Sequence, residues 1–238
     1  QLFENGKLKS NAQILDGYRG DLDWYKPIER TGYYQDINMN GRVSNDKGGA
    51  YFSAGFLNNE AYFKNSDFTR FTGRTNADYQ VNDWLKVGTN LSGSHQVSNG
   101  ITASADNSNS YANPFMFARG IAPIYSVHMH DPSTGAYLYD ETGSLMYDDG
   151  TKSRAQYVGR HVVWENDLNS RETIRNTFSG QVFADIKFLN DFTFTIRGDL
   201  NTRNTEERHY DNGIIGDGAG TNGRSRRTMY RYKTYTAQ

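Results

Sequence analysis

The stretch AYFKNSDFTRFTGRTNADYQVNDWLKVGTNLSGSHQ, residues 61–96, decides how the whole chain is read. From Phe68 its residues alternate with a period of two, the signature of a half-buried strand. One side carries Arg70, Arg74, Asn76 and Asp78. The other carries Thr69, Phe71, Gly73, Thr75, Ala77 and Tyr79. A protein core asks for larger aliphatic residues than these, and a solvated edge has no use for two opposed chemistries held over so long a run. A strand with lipid on one side and water on the other asks for both.

The same alternation recurs on either side. Tyr33, Gln35, Ile37, Met39, Gly41 and Val43 oppose Tyr34, Asp36, Asn38, Asn40 and Arg42, and SNDKGG (44–49) turns the chain into a run over 50–57. After the short VNDW (81–84), Leu85, Val87, Thr89 and Leu91 oppose Lys86, Gly88, Asn90 and Ser92. Periodicity lapses from about 98 to 171 and resumes with Phe178, Gly180, Val182, Ala184, Ile186 and Phe188 against Ser179, Gln181, Phe183, Asp185 and Lys187. LND (189–191) leads to Phe192, Phe194, Ile196, Gly198 and Leu200 against Thr193, Thr195, Arg197 and Asp199, and TMYRYKTYT forms a last run. The connections alternate in length: short at 44–49, 81–84 and 189–191, longer at 59–65, 98–172 and 204–226. Outer-membrane barrels sort their connections this way, with short periplasmic turns and long outer loops. A long structureless connection is out of place inside a compact soluble domain.

Composition supports that reading. The chain of 238 residues has 26 Lys+Arg against 27 Asp+Glu, a net charge of −1, which lacks the basic excess of a nucleic-acid binder. Hydrophobic residues make up 36%, with 17 Tyr, 13 Phe and 3 Trp. There is no Cys, so neither a disulfide nor a thiolate metal site is available. No apolar run is long enough for a membrane helix, but a transmembrane strand needs only about 9–11 residues of alternating pattern. In hydrocarbon every backbone N–H and C=O must be paired, so strands survive there only in a closed barrel. The expected fold is all-β: about seven strands of a larger antiparallel transmembrane β-barrel with long extracellular loops. Phe178, Val182, Ile186, Phe192, Phe194 and Ile196 are expected to face lipid. Gln181, Asp185, Lys187, Arg197 and Asp199 are expected to face inward. The competing architecture is a soluble β-sandwich, a glycan-binding or adhesin-like module, which would bury the faces that a barrel exposes.

The segment LNNEAYFKNSDFTRFTGRTNADYQVNDWLKVGTNLSGSHQVSNG resembles a core signature of the SusC/RagA type of TonB-dependent outer-membrane transporters of Bacteroidota. The likeness rests on Gly55 to Glu60, Asn65 to Phe71, Arg74 to Gly88 and Asn90 to Ser92. LDWYKPIERTG (22–32) is similar to the tract that precedes that signature, and NTFSGQVFADIKFLNDFTFTIRGDLN (176–201) to a later hairpin. Ala61 stands where Gly is usual, and Asn190-Asp191 replaces a Lys-Gly type of turn. The resemblance implies a segment of a barrel of about 22 strands. Residues 1–30 would be an extracellular connection preceding the first complete strand. Residues 31–97 would be strands, 98–173 a long extracellular loop, and 174–238 strands with an outer loop at 204–226. The plug is expected to lie outside this chain. The implied function is TonB-dependent import of a glycan or oligopeptide across the bacterial outer membrane. The implied partners are a SusD-type surface lipoprotein, TonB through the missing plug, and a second transporter–lipoprotein pair in a dimer.

No sequence pattern points to catalysis. GAGTNG (218–223) matches a dinucleotide fingerprint in letters only, because the residues after it read as strand rather than helix. His128 and His130 of HMH have a spacing seen in some metal sites but no third ligand nearby, so no metal is expected there. The Asp-rich DPSTGAYLYDETGSLMYDDG (131–150) could attract Ca²⁺, but reads first as a pair of hairpins closed by Asn/Asp/Gly turns. No cofactor is expected. Tyr111, Phe115, Phe117, Tyr125, Tyr137 and Trp164 in the long loop are candidates for stacking against a ligand or partner, or for folding of the loop upon itself.

Overall fold

The computed structural model describes residues 3–5, 7, 8, 10, 14–100, 113–151, 153–189 and 191–238. Its largest element, among the described residues, is an open seven-stranded sheet. The strands are β1 (Tyr33–Asn45), β2 (Gly48–Glu60), β3 (Asp67–Asn82), β4 (Leu85–Asn99), β5 (Ser170–Phe188), β6 (Phe192–Asp211) and β7 (Arg224–Ala237). They follow one another in space as they do in sequence, and each ladder whose register is resolved is antiparallel.

Two of the short turns share one device. The Asn45 side-chain oxygen accepts the N–H groups of Lys47 and Gly48 at 2.9 and 3.0 Å. The Asn82 side-chain oxygen accepts those of Trp84 and Leu85 at 3.1 and 2.9 Å. Each Asn thereby satisfies amides that a two-residue reversal leaves without a ladder partner. At one position a glycine is needed for packing: Gly88 pairs with Phe183, whose ring occupies the space a Cβ would take.

Register sorts the side chains. Directly paired residues lie on the same face of a sheet, so Met39, Ala54, Gly73, Gly93 and Phe178 form one cross-strand row. Tyr79, Val87, Ala184 and Ile196 form another on the same side. That side is apolar from β1 to β6, and it is uncovered: Met39 is 71% exposed, Val182 59% and Phe194 56%. The eight buried apolar side chains, Trp24, Ile28, Phe117, Ile121, Val127, Val162, Val163 and Ile215, all lie outside the sheet. A β-sandwich would bury this face against a second sheet. The single uncovered sheet does not have that architecture.

The sheet extends further than the alternating pattern does. Strand pairing continues to Asn99 and starts again at Ser170, and β6 runs on to Asp211, so the connection expected at 204–226 spans only the residues between Asp211 and Arg224. These strand ends are polar on both sides, as in Glu172 opposite Arg208, whose side chains pair at 2.9 Å. Both faces there take water, so hydropathy has no contrast to report.

The remaining segments, 1–30, 101–169 and 211–224, form a second compact unit where separate loops were expected. Its described part contains α1 (Asp16–Arg19), α2 (Pro114–Gly120) and α3 (Val162–Leu168). The Asn113 side chain caps α2 by accepting from the N–H of Phe115 and Met116, with Pro114 in the first turn where its missing N–H costs nothing. The core gathers Trp24 and Ile28 with Phe117, Ile121, Val127, Val162 and Val163. The Trp24 indole N–H donates to the Tyr125 carbonyl at 3.0 Å. Two tight turns at Gly135 and Gly143, both with positive φ, fold 128–147 into short paired hairpins. Replacing the fully buried Phe117 by Ala should cost this unit about 3–5 kcal/mol. Limited proteolysis should then cut preferentially within 113–169, with the strands remaining protected.

Candidate functional site

The side of the sheet opposite the apolar face is mainly hydrophilic, with Leu57, Phe68 and Phe183 as apolar exceptions. Arg70 pairs with Gln96 and Gln96 with Arg175. Arg74 pairs with Ser92 and Ser92 with Ser179, and Thr177 with Arg203. Toward the short-turn end the charges neutralise one another: Lys86 meets Asp78 at 3.0 Å, and Thr195 donates to Asp185 at 2.8 Å. Gln181 donates to Asp199 at 2.7 Å. Toward the other end, between β3 and β7, lies a depression of about 670 Å³ whose lining includes Arg74, Ser92, Ser94, Thr177, Arg203 and Tyr232.

In the second unit, Asp21 organises a cluster of rings. Its carboxylate meets His128 Nδ1 at 2.7 Å and His130 Nε2 at 2.9 Å, and accepts the His128 backbone N–H at 2.7 Å. Burial raises the Asp21 pKa, but hydrogen bonds from the two histidines outweigh it and hold the carboxyl below its usual range. Tyr18 stacks on His130 at 4.3 Å, and Tyr137 lies 4.4 Å from the same ring. Tyr147 stacks on His128 at 5.1 Å and on Trp164 at 5.6 Å. The chemistry is that of a packed polar core rather than a reactive centre, because the polar atoms of Asp21 are taken by neighbours. Among the described residues no three His, Asp or Glu groups are arranged to hold a metal ion. The Asp131 carboxylate is taken up by Ser133 and Thr134, whose side-chain and backbone donors bring its pKa to about 2. Asp140 is held in the same way by Thr142 and Ser144.

No protein-family model matches the chain. Over 103 residues, 42% of its length, the chain is 25% identical to the TonB-dependent receptor P39 of Formosa agariphila, of which the match covers 10%. The structure superposes on the RagAB peptide importer in its closed-closed state with a TM-score of 0.62 and 18% identity, covering 96% of this chain and 24% of the other. The RagAB peptide transporter gives 0.62 with 19% identity over 91% of this chain and 23% of that one. The open-open state of the importer gives 0.62 with 18% identity over 96% and 24%. The chain has the fold of one sector of a SusC/RagA-type transporter barrel. It therefore spans about a quarter of the length of the solved SusC/RagA-type chains it resembles.

The barrel sector places Phe178, Val182, Ile186, Phe192, Phe194 and Ile196 on its apolar side, and Gln181, Asp185, Lys187, Arg197 and Asp199 on the other. Of the candidate aromatics, Tyr111 lies outside the described residues. Phe115 sits on α2, half-buried, two positions from the N-cap Asn113. Tyr125 packs against the Trp24 core, Tyr137 against His130, and Trp164 on Tyr147. Tyr137 and Trp164 thus join the same ring cluster, while Phe115 stands apart on α2. Tyr18, Asp21, Tyr147 and His161 went unnoticed in the sequence. Asp21 reaches His128 across 107 positions, a distance no local pattern spans; only the HMH spacing hinted at it. Of the GAGTNG letters, Gly218 to Thr221 lie in the 3₁₀ helix Gly216–Thr221, and Asn222 and Gly223, both with positive φ, lead into β7.

Two buried groups of α3 give this unit an unusual pH response. His161 Nδ1 accepts the Trp164 N–H at 3.1 Å and Nε2 donates to the Val127 carbonyl at 2.7 Å, which fixes the neutral ring. Burial pushes its pKa down to about 3 from 6.5. Glu165, 1% exposed, is pushed up by burial to about 7 from 4.5, with Arg160 at 2.8 Å opposing the shift. On acidification below 6.5 the unfolded chain protonates at His161 and the folded one does not, so stability falls. Between about 7 and 4.5 the folded chain holds a proton on Glu165 that the unfolded chain releases, so stability rises. The two slopes oppose each other across 4.5–6.5. Glu165→Gln removes one of them. The variant should lose about 2 kcal/mol between pH 6.5 and 5, at about 1.4 kcal/mol per proton and pH unit, where the parent changes by less than about 1. Hydrogen–deuterium exchange of the α3 amides measures this.

Proposed function

We propose that this chain forms part of a TonB-dependent importer of large nutrients in a bacterial outer membrane. The observation that carries the proposal is the single sheet with one continuous uncovered apolar face and one hydrophilic face. In this reading the apolar face meets acyl chains and the hydrophilic face lines the lumen. Its dimensions fit. From Phe178 to Phe188, at about 3.4 Å per residue and a tilt of about 40°, the apolar band stands about 26 Å tall, against roughly 25 Å for membrane-spanning barrels. Tyr79, Trp84, Phe188 and Phe192 gather at its short-turn edge, where an aromatic girdle belongs.

The short turns at Asn45–Gly48, Asn82–Leu85 and Phe188–Phe192 are periplasmic, and the opposite strand ends are extracellular. The unit built from 1–30, 101–169 and 211–224 is then extracellular too. There it contacts cargo or a SusD-type lipoprotein lid, with Tyr139 and Met146 among its exposed apolar residues. TonB, acting on a plug domain, supplies the energy, and the cargo is an oligopeptide or a glycan. The pairing of such transporters into dimers with their lipoproteins belongs to the same proposal.

Since the chain has no Cys, single cysteines report topology directly. With the whole transporter in intact cells, a membrane-impermeant maleimide should label Glu141→Cys at once and Asp46→Cys only after the outer membrane is permeabilised. The reverse pattern rejects the orientation, and equal labelling of soluble protein rejects the barrel. Depth is a separate check. Val182→Arg, near the middle of the band, should cost about 2–4 kcal/mol of barrel stability, and Phe192→Arg at its edge about 1 or less. Folding titrations into lipid vesicles read both values. Deleting the gene should abolish growth on either oligopeptides or one glycan as sole nutrient, which names the cargo class.

A further inference from the structure

The hydrophilic face separates its charges. Its carboxylates near the short turns are engaged: Asp78 with Lys86, Asp185 with Thr195, Asp199 with Gln181. Arg70, Arg74, Arg175 and Arg203 lie together nearer the other end, on the same face of β3, β5 and β6. Among the described residues none of the four has an ion-pair partner. Asp36 shares a row with Arg70 but lies two strands away, where it accepts from Asn38 at 2.7 Å. Glu207 lies one row beyond Arg175 and makes no ion pair with it.

Two of these arginines are aimed. Arg203 stacks over the Tyr232 ring at 4.7 Å, which limits the directions its guanidinium can take. Arg74 uses Nε on the Asn76 side-chain oxygen at 3.3 Å and keeps its Nη groups available. Between them the depression is floored by small hydroxyls: Ser92, Ser179, and Ser94 in contact with Thr177 at 2.7 Å. A guanidinium cannot discharge itself and accepts no hydrogen bond. Its fork matches carboxylates and sulfates in bidentate fashion. Arg74 on β3 and Arg203 on β6 stand three ladders apart, about 14 Å, so they address separate anionic groups of one extended ligand.

Resting on the membrane reading above, we propose that this depression is a binding site for an acidic oligosaccharide bearing uronate carboxylates or sulfate esters. Arg74 and Arg203 clamp the anionic groups, with Arg70 and Arg175 beyond them. The Ser and Thr hydroxyls, which both donate and accept, suit sugar hydroxyls, and the exposed Tyr232 ring offers a stacking face. On this face the side chains lining the depression are hydroxyl, amide and guanidinium groups with Tyr232, which suits a sugar better than the apolar side chains of a peptide.

The test uses the full transporter purified from outer membranes, after gel mobility before and after heating has shown that the barrel is folded. Binding of oligogalacturonate, sulfated dextran, neutral malto-oligosaccharide and oligoglutamate of matched length is measured by calorimetry. An acidic sugar should bind best, more weakly at high salt. Arg74→Gln with Arg203→Gln should weaken it by at least about tenfold, the scale of one lost charge-assisted hydrogen bond, while heat-modifiable mobility is retained. The two acidic sugars distinguish carboxylate from sulfate. A preference for neutral sugar or for oligoglutamate, or an unchanged double variant, overturns the inference and leaves the transporter reading intact. A chain that never folds as an outer-membrane barrel overturns both.

Discussion

Strand register is the constraint on which everything else in this sheet depends. Side chains alternate with a period of two, so a slip of one residue in any ladder would move a whole strand's apolar set to the opposite side. From β1 to β6 the ladders keep Met39, Phe52, Phe71, Leu91, Phe178 and Ile196 on one side and Arg42, Arg74, Lys86, Gln181 and Arg197 on the other. Backbone hydrogen bonding alone does not choose between registers. The choice comes from the contrast between the faces and from the Asn-led turns that fix where two of the hairpins close.

The second unit obeys different physics. Its core is small and closed by aromatic rings around a buried histidine and a buried carboxylate. Trp24 and Tyr147 both pack on His161, at 4.9 and 4.6 Å. Glu165 accepts the His161 N–H at 3.0 Å and meets Arg160, which in turn meets Asp217. Gly216 lies so close to Glu165 that a side chain there would collide with its carboxylate. Three distant stretches of sequence are thereby tied into one body, which an account in terms of independent loops could not anticipate.

What was legible in the sequence follows from this difference. All seven strands could be read, because six of them alternate against two unlike media and the contrast survives in composition. Phe178 and Ile196 declared their side without any knowledge of neighbours. The strand ends could not be read: Glu172, Arg208 and their neighbours are polar on both sides, and their pairing lies in the backbone. The ring cluster was equally hidden, because Asp21 and His128 meet only once the chain has folded. The candidate aromatics were chosen by type. Type alone does not distinguish Tyr137, packed on His130, from Tyr232, exposed beside Arg203.

The ladder between β4 and β5 joins Asn99 to Glu172, across the whole excursion of the second unit. The other resolved ladders of the sheet close over short reversals. By the logarithmic law for flexible loops, closing a tether of that length costs about 3–4 kcal/mol of chain entropy. The core of Phe117, Val127 and Val162, closed by Trp24 and Ile28, gathers the described part of that connection. A connection that carries its own packed core leaves fewer free residues than its length implies, so the entropy lost when Asn99 and Glu172 pair is smaller than for an open loop.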